Sequence, residues 1–200
     1  MPAVAPSEWN YHPLTPERWA DLLTLFEHHG NPGYCWCMLW RLLSADYTDL
    51  DSAGRKQALE CTVQSGTPTG VIGYVNEEPV GWCSIAPRET YARLERSKTL
   101  SRVDDQPVWS IVCFFIKRAM RGRGIRGWLL RDAVAYAREQ GAAIIEAYPV
   151  GPHIDAEGAV VQPKSYTYMG AYGIFEQAGF VTVRELPNGR RIVRKVIGTA

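Results

Sequence analysis

The sequence predicts a mixed α/β fold: a mostly antiparallel, twisted sheet with a central parallel β-α-β unit and helices on both faces. Three observations predict it. The apolar run Val108–Ile116 (VWSIVCFFI) leads through a glycine-rich stretch, Met120–Gly127 (MRGRGIRG), into a helical pattern and then a second apolar run, Ala143–Tyr148. Short joins between strand, helix and strand imply parallel neighbours and a right-handed crossover. Upstream, GVIGYVNEEPVGWCSIAP (70–87) reads as two strands around a turn at Asn76–Glu78. Downstream, Phe180–Glu185 and Arg191–Val196 flank Pro187-Asn188-Gly189 as a closing hairpin.

The remaining elements follow from punctuation. Thr15-Pro16 starts a helix with Trp19, Leu22, Leu23 and Phe26 on one face and Gly30 as its stop. His28 and His29 at its end favour the helix dipole. Asn31–Tyr47 is irregular or short-helical and rich in aromatic residues. A second helix after Ser52 carries Leu59 and Val63 and ends at Gly66. Arg88–Pro107 is a polar insertion with a short helix at Tyr91–Arg96. After the glycine loop, Trp128, Leu129, Ala133, Val134 and Ala137 recur at helical spacing until Gly141. Pro149–Gln162 is a long loop, and Tyr166–Ala178 is helical with Gly179 as its cap.

Composition sets limits on function. At 200 residues, 46% hydrophobic and 22% charged, the chain is expected to form one domain, with N-terminal helices over 1–66 and a sheet core over 67–200. A net charge of +1 provides no global field for nucleic acid or an anionic membrane, so any phosphate binding must be local. No window approaches the roughly 18 consecutive apolar residues of a membrane span. MPAVAPSEWNYHP lacks the layout of a signal peptide, so a cytoplasmic protein is expected. Five cysteines, at 35, 37, 61, 83 and 113, without C-x-x-C spacing, read as reduced thiols. Cys113, among apolar neighbours, is expected to be buried and inert.

The chemistry centres on the loop. A strand, bare backbone amides and a helix N-terminus in that order make a cradle for phosphates, because a diphosphate needs convergent N–H donors and glycine permits close approach. Together with the final Phe175-Glu176-Gln177-Ala178-Gly179-Phe180, this arrangement resembles the GNAT superfamily of acyl-CoA-dependent N-acyltransferases, from Gly70 to about Val183. The resemblance implies acetyl-CoA as cosubstrate with no metal. It also implies direct acetyl transfer, in a ternary complex, to a primary amine of a small molecule or peptide, and it makes a homodimer reasonable. The backbone of Phe114, Phe115 and Ile116 would pair with the pantetheine arm, while Arg121, Gly122, Arg123, Gly124, Ile125, Arg126 and Gly127 would hold the diphosphate.

Two departures from the family pattern bear on the chemistry. Arg126 stands where the family has Gly or Ala, with Gly127 one place later. Only the backbone is needed there, so the side chain points outward or adds charge near a CoA phosphate. Phe175, grouped with the cofactor site, replaces the family's general-acid Tyr, and Tyr168 replaces an Asn seven residues earlier. Tyr172 and Tyr168 are therefore the alternative acids, against a plainer role in packing.

For a base, Glu146 interrupts the apolar strand AAIIEAYP, where desolvation would raise a carboxylate toward the working range. A salt bridge at the sheet rim is the alternative. His153 is a weaker base candidate, and Asp104, Asp105 or Glu89 would either meet a cationic acceptor or be solvated loop charges. Tyr34, Trp36 and Trp40, beside Arg41, form either an acceptor wall or core. Cys35-x-Cys37 lacks the second ligand pair of a zinc site. Gly122–Gly127 also satisfies G-x-G-x-x-G, with Glu146 near the ribose-acid position of a dinucleotide fold. Lys117–Arg121 make that turn too long, and too few β-α units follow. A non-catalytic CoA-binding module is the other alternative. The arginine cluster has no broad basic face to bind nucleic acid.

Overall fold

The structure, a computed structural model, describes residues 8–27, 32–154, 157, 159–162 and 168–198. The readings at His28, His29, Gly30 and Tyr166 lie outside these residues. Strand β1 (Trp9–Pro13) is followed by a 3-10 turn at Pro16–Arg18 and helix α1 (Trp19–Glu27). Short helices α2 (Pro32–Cys35) and α3 (Ser44–Asp49) precede α4 (Ser52–Gln64), whose Asp51 N-cap accepts a 2.8 Å bond from the Gly54 amide. Strands β2 (Val71–Val75) and β3 (Glu78–Pro87) form a hairpin across Asn76 and Glu77. Both turn residues take positive φ, as a two-residue turn with native twist requires.

Helix α5 (Ala92–Glu95) lies in the insertion before β4 (Trp109–Ile116). A 3-10 turn at Arg118–Met120 and the glycine loop then lead to α6 (Ile125–Glu139) and β5 (Ile144–Ala147). The two-residue strands β6 (His153–Ile154) and β7 (Val160–Val161), helix α7 (Tyr172–Gln177), and strands β8 (Val181–Glu185) and β9 (Arg191–Val196) complete the chain. The main sheet runs β1-β2-β3-β4-β5-β9-β8, and its one parallel pair is β4-β5. It is thus mixed and mostly antiparallel, as predicted, and β1 and β8 are its margins.

Strand alternation divides the core in two. Ile72, Tyr74, Trp82 and Phe115 turn to α1 and α4, meeting Leu22, Leu25, Phe26, Leu59 and Val63. Val71, Cys83, Phe114 and Ile116 turn the other way, to Ile125, Trp128, Leu129 and Ala133 of α6. Helices therefore cover both faces. A third cluster, with Tyr91, Leu94, Leu100, Val112 and Tyr148, packs the insertion against the sheet.

Three readings change. Strand β1 is absent from the sequence-based expectation: WNYHP contains a proline and has no clear apolar alternation. Its stability comes from contacts distant in sequence, the Trp9 indole N–H donating to Asp132 at 2.6 Å and its ring meeting Trp128 at 5.3 Å. The loop at 149–162 carries the small β6-β7 ladder. The expected helix over Tyr166–Ala178 is helical only from Tyr172, because Tyr168 and Gly170 give their carbonyls to Phe114 and Val150 instead of to a helix.

Candidate active site

The loop after β4 is built for an anion. Lys117 donates its amide to Val80 at 3.0 Å, ending the β3-β4 pairing, and Arg121 turns its Nε onto the Ile116 carbonyl at 3.1 Å. Gly122 and Gly124 have φ of 77° and 80°, left-handed values that favour glycine, and Gly124 caps α6. The first turn of α6 has no side-chain cap and no acidic residue. The helix itself thus sets no carboxylate against its amides and positive dipole end. A Cβ built on Gly127 would meet nothing within 4 Å, and Arg121 and Arg123 are exposed beside it. An open helix N-terminus flanked by guanidinium groups fits a diphosphate.

Beyond Ile111 the parallel strands part: β4 and β5 pair only at Trp109–Ile145, Ser110–Glu146 and Ile111–Ala147. The segment from Tyr168 to Tyr172 crosses the opening. On one side the Phe114 amide donates to the Tyr168 carbonyl at 2.7 Å; on the other, Val150 donates to Gly170 at 3.3 Å and Tyr172 donates to Val150 at 3.0 Å. The expectation of an open β4 backbone at Phe114 is corrected accordingly, since Tyr168 already holds that amide. By strand alternation the Ile116 amide faces the same edge.

A cavity of about 340 Å³ lies at this edge. One wall is the Tyr34–Trp40 segment; the other is Val112–Phe115 with Tyr168. Four consecutive residues of one strand line it, which places the cavity at the strand's edge, where both faces and the backbone meet it. Tyr168 is thus brought together with Phe114, Phe115, Tyr34 and Trp40. Burial, above all, raises the Tyr168 phenol above its ordinary pKa, while Arg190 pulls it back. Cys35, Cys37 and Cys113 also line the cavity, and the partly exposed Cys113 corrects its assignment to the sealed core. Val112, Cys113 and the two N-terminal thiols were not singled out as lining residues, because pattern reading assigns residues to strand faces and not to an edge.

Other expected residues lie elsewhere. Trp36 is core, 5.6 Å from Phe26 ring to ring, with its indole N–H on Ser52 at 3.2 Å. Tyr172 lies outside the cavity wall: its hydroxyl accepts from Thr182 at 3.3 Å and its ring lies under Arg191. Phe175 is fully buried between Phe114 and Phe180, which makes it packing for the strand that faces the opening. Asp105 is exposed before the start of β4, whereas the cavity is on that strand's second half. His153 lies in the small ladder.

Glu146 requires the largest correction. It is fully buried, and both carboxylate oxygens are engaged: Oε1 accepts from Arg88 at 2.7 Å and Tyr148 at 2.6 Å, and Oε2 from Arg194 at 2.8 Å. Arg88 also pairs with Glu95, Arg102 with Glu95, and Arg194 with Asp104. Three arginines thus balance three carboxylates. Burial works against the Arg88 charge, but Tyr148, Glu146 and Glu95 outweigh it and raise its pKa. Burial and the Glu146 charge also push the Tyr148 phenol well up. Fully buried with both oxygens taken, Glu146 is held as a counter-ion, which favours the salt-bridge alternative over the base, inside the sheet and not at its rim. Glu146→Gln is expected to cost about 2–3 kcal/mol of stability while leaving the pH dependence of any activity of the folded protein unchanged. Chemical denaturation and a kcat profile check this, and a lost titration limb would restore the catalytic role.

Among the described residues no His, Cys, Asp and Glu side chains gather to hold a metal ion. Nor is any helix long and apolar enough to cross a membrane. The loop lies in a mostly antiparallel sheet, so the dinucleotide alternative, which needs successive parallel units, fails.

A profile described as the Acetyltransferase (GNAT) family matches residues 36–158. This chain belongs to the GNAT acetyltransferase family. No curated protein matches its sequence. Solved structures share the GNAT acetyltransferase's fold at low identity. An uncharacterized protein from Bacillus halodurans is 15% identical, with 94% of this chain and 83% of that one covered and a TM-score of 0.54. Ard1 from Thermoplasma volcanium is 13% identical, with coverage of 95% and 98% and a TM-score of 0.50. The yncA protein of Salmonella typhimurium, solved with its cofactor acetyl-CoA, is 14% identical, with coverage of 95% and 94% and a TM-score of 0.50.

Proposed function

We propose that this GNAT acetyltransferase transfers an acetyl group from acetyl-CoA directly to a primary amine. The observation that carries the reading is the succession of two features along the chain: β4, whose Val112–Phe115 line an apolar cavity with Tyr168, and then the anion cradle at the start of α6. Acetyl-CoA supplies an acetyl group activated as a thioester. Gly122, Arg123, Gly124, Ile125 and Arg126 hold its diphosphate through loop and helix amides, and Arg121 through its guanidinium charge, because the Arg121 and Gly127 amides already donate to the carbonyls of Arg118 and Gly124. Phe115 and Ile116 carry the strand toward the cavity, and the Ile116 amide faces the pantetheine side.

As the amine nitrogen bonds to the thioester carbon and the C–S bond breaks, Tyr168 gives its proton to the departing sulfur, in the role the resemblance gives to a tyrosine at the position of Phe175, and the nitrogen's surplus proton passes through water to restore the phenol. Its raised pKa keeps the hydroxyl protonated through neutrality. The required form is the protonated one, so the rate falls only as pH rises past that raised value. Tyr168→Phe is expected to lower kcat about 100-fold, to leave acetyl-CoA affinity within about twofold, and to remove that alkaline fall. Steady-state thiol release across pH tests this. Unchanged kcat and an intact alkaline limb would assign proton donation elsewhere.

A further inference from the structure

Among the described residues no carboxylate lines the cavity at the edge of β4. Its wall is aromatic, aliphatic and thiol, and hydrogen bonding among the thiols together with burial raises the pKa of Cys35 and Cys37, so these groups stay uncharged. Arginines lie against its lining residues and behind them. Arg55 lies 4.8 Å from the ring centre of Tyr34 and 4.1 Å from that of Tyr47, and donates to the carbonyls of both residues. Arg41 lies over Tyr91 and donates to the Pro68 carbonyl and the Thr90 hydroxyl. Arg190 donates to the Tyr148 carbonyl and the Met169 sulfur. None of these three forms an ion pair with a described carboxylate. Arg190 and Arg93 both lower the Tyr168 pKa, so their field reaches the cavity.

We infer that the acceptor is a small hydrophobic monoamine, with its apolar body against Leu39, Trp40 and Phe115 and its single nitrogen turned to the open edge of β4. This rests on the acetyl-transfer reading and names its substrate class. A polyamine or aminoglycoside would have to desolvate a second ammonium against an apolar wall with no carboxylate to receive it. The arginine field opposes that charge as well. At about 340 Å³ the cavity is near the lower end of the ~300–1,000 Å³ typical of ligand pockets, which suits a single ring or a branched chain. The same field favours the neutral form of the attacking amine, so the ammonium gives its proton to water and no carboxylate base is needed.

The test begins with calorimetric titration of acetyl-CoA, followed by thiol release with 2-phenylethylamine, isopentylamine, spermidine and kanamycin. The kcat/KM for 2-phenylethylamine should exceed that for spermidine at least about 100-fold. Leu39→Glu, at a partly exposed position, should narrow this gap at least about tenfold without changing acetyl-CoA affinity. Equal or better turnover of spermidine or kanamycin, or an unchanged gap in the folded variant, overturns the inference. Absence of acetyl-CoA binding would instead remove the underlying reading. In that case direct titration of the free protein still decides the cavity's preference: 2-phenylethylamine binding ahead of spermidine supports it, and spermidine ahead, or neither, overturns it.

Discussion

Gly127→Glu is expected to weaken acetyl-CoA binding at least about 100-fold while the protein stays folded, a loss of about 2.7 kcal/mol. Gly127 lies in the first turn of α6, where a Cβ meets nothing within 4 Å, so the new side chain creates no clash. Its carboxylate would occupy the positive end of the helix dipole, which stabilises an acidic side chain there. The charge that helps the free protein thus competes with the diphosphate for the same amides. Gly127→Ala, which adds bulk without charge, should stay close to wild type. Calorimetric titration with a thermal melt on each variant separates the effects. Wild-type affinity in a folded Gly127→Glu protein would remove the loop from the cofactor site.

Arg88→Met is expected to be the most destabilising change away from the loop, at about 4 kcal/mol or more. Arg88 is fully buried and donates to Glu95, Glu146, Tyr148 and the carbonyls of Leu94 and Leu100. Its loss leaves the Glu146 charge buried with only Arg194 opposite, and removes two carbonyl partners in the insertion. Urea denaturation measures the cost. The double variant Arg88→Met, Glu146→Gln should recover part of it, because the exposed liability is the unpaired carboxylate. Strict additivity of the two single losses would show that the groups do not act as a cluster.

These two expectations mark where the sequence was readable and where it was not. The strand, glycine loop and helix from Trp109 to Glu139 were legible because period-two and helical patterns are local and because Gly122 and Gly124 stand where the chain turns left-handed. The hairpins were legible for the same reason. Glu146 was visible as an acid in an apolar strand, but its meaning was not. Its partners Arg88 and Arg194 lie 58 and 48 residues away, and pairing with them turns a candidate base into a counter-ion. Tyr168 and Tyr172, one helical turn apart in the expected helix, separate once the chain before Tyr172 extends to bridge Phe114 and Val150. The acceptor wall was half legible: Tyr34 and Trp40 line the cavity, while Trp36, between them in sequence, turns into the core with a positive φ.

The two margins of the sheet bear on how this protein behaves when crowded. A margin strand displays unpaired amides and carbonyls, and a long flat one is a template for fibres. Here β1 is five residues long and ends in Pro13, which has no amide to offer. At the other margin β8 exposes Val181, but its register with β9 shifts between Thr182 and Arg184, and Arg184 reaches out to Ser101 and Arg102 while Glu185 pairs with Arg191. Neither border gives an incoming strand a straight, uncharged ladder. Among the described residues, the seven-stranded sheet is therefore bordered on both sides by strands poorly suited to recruit another.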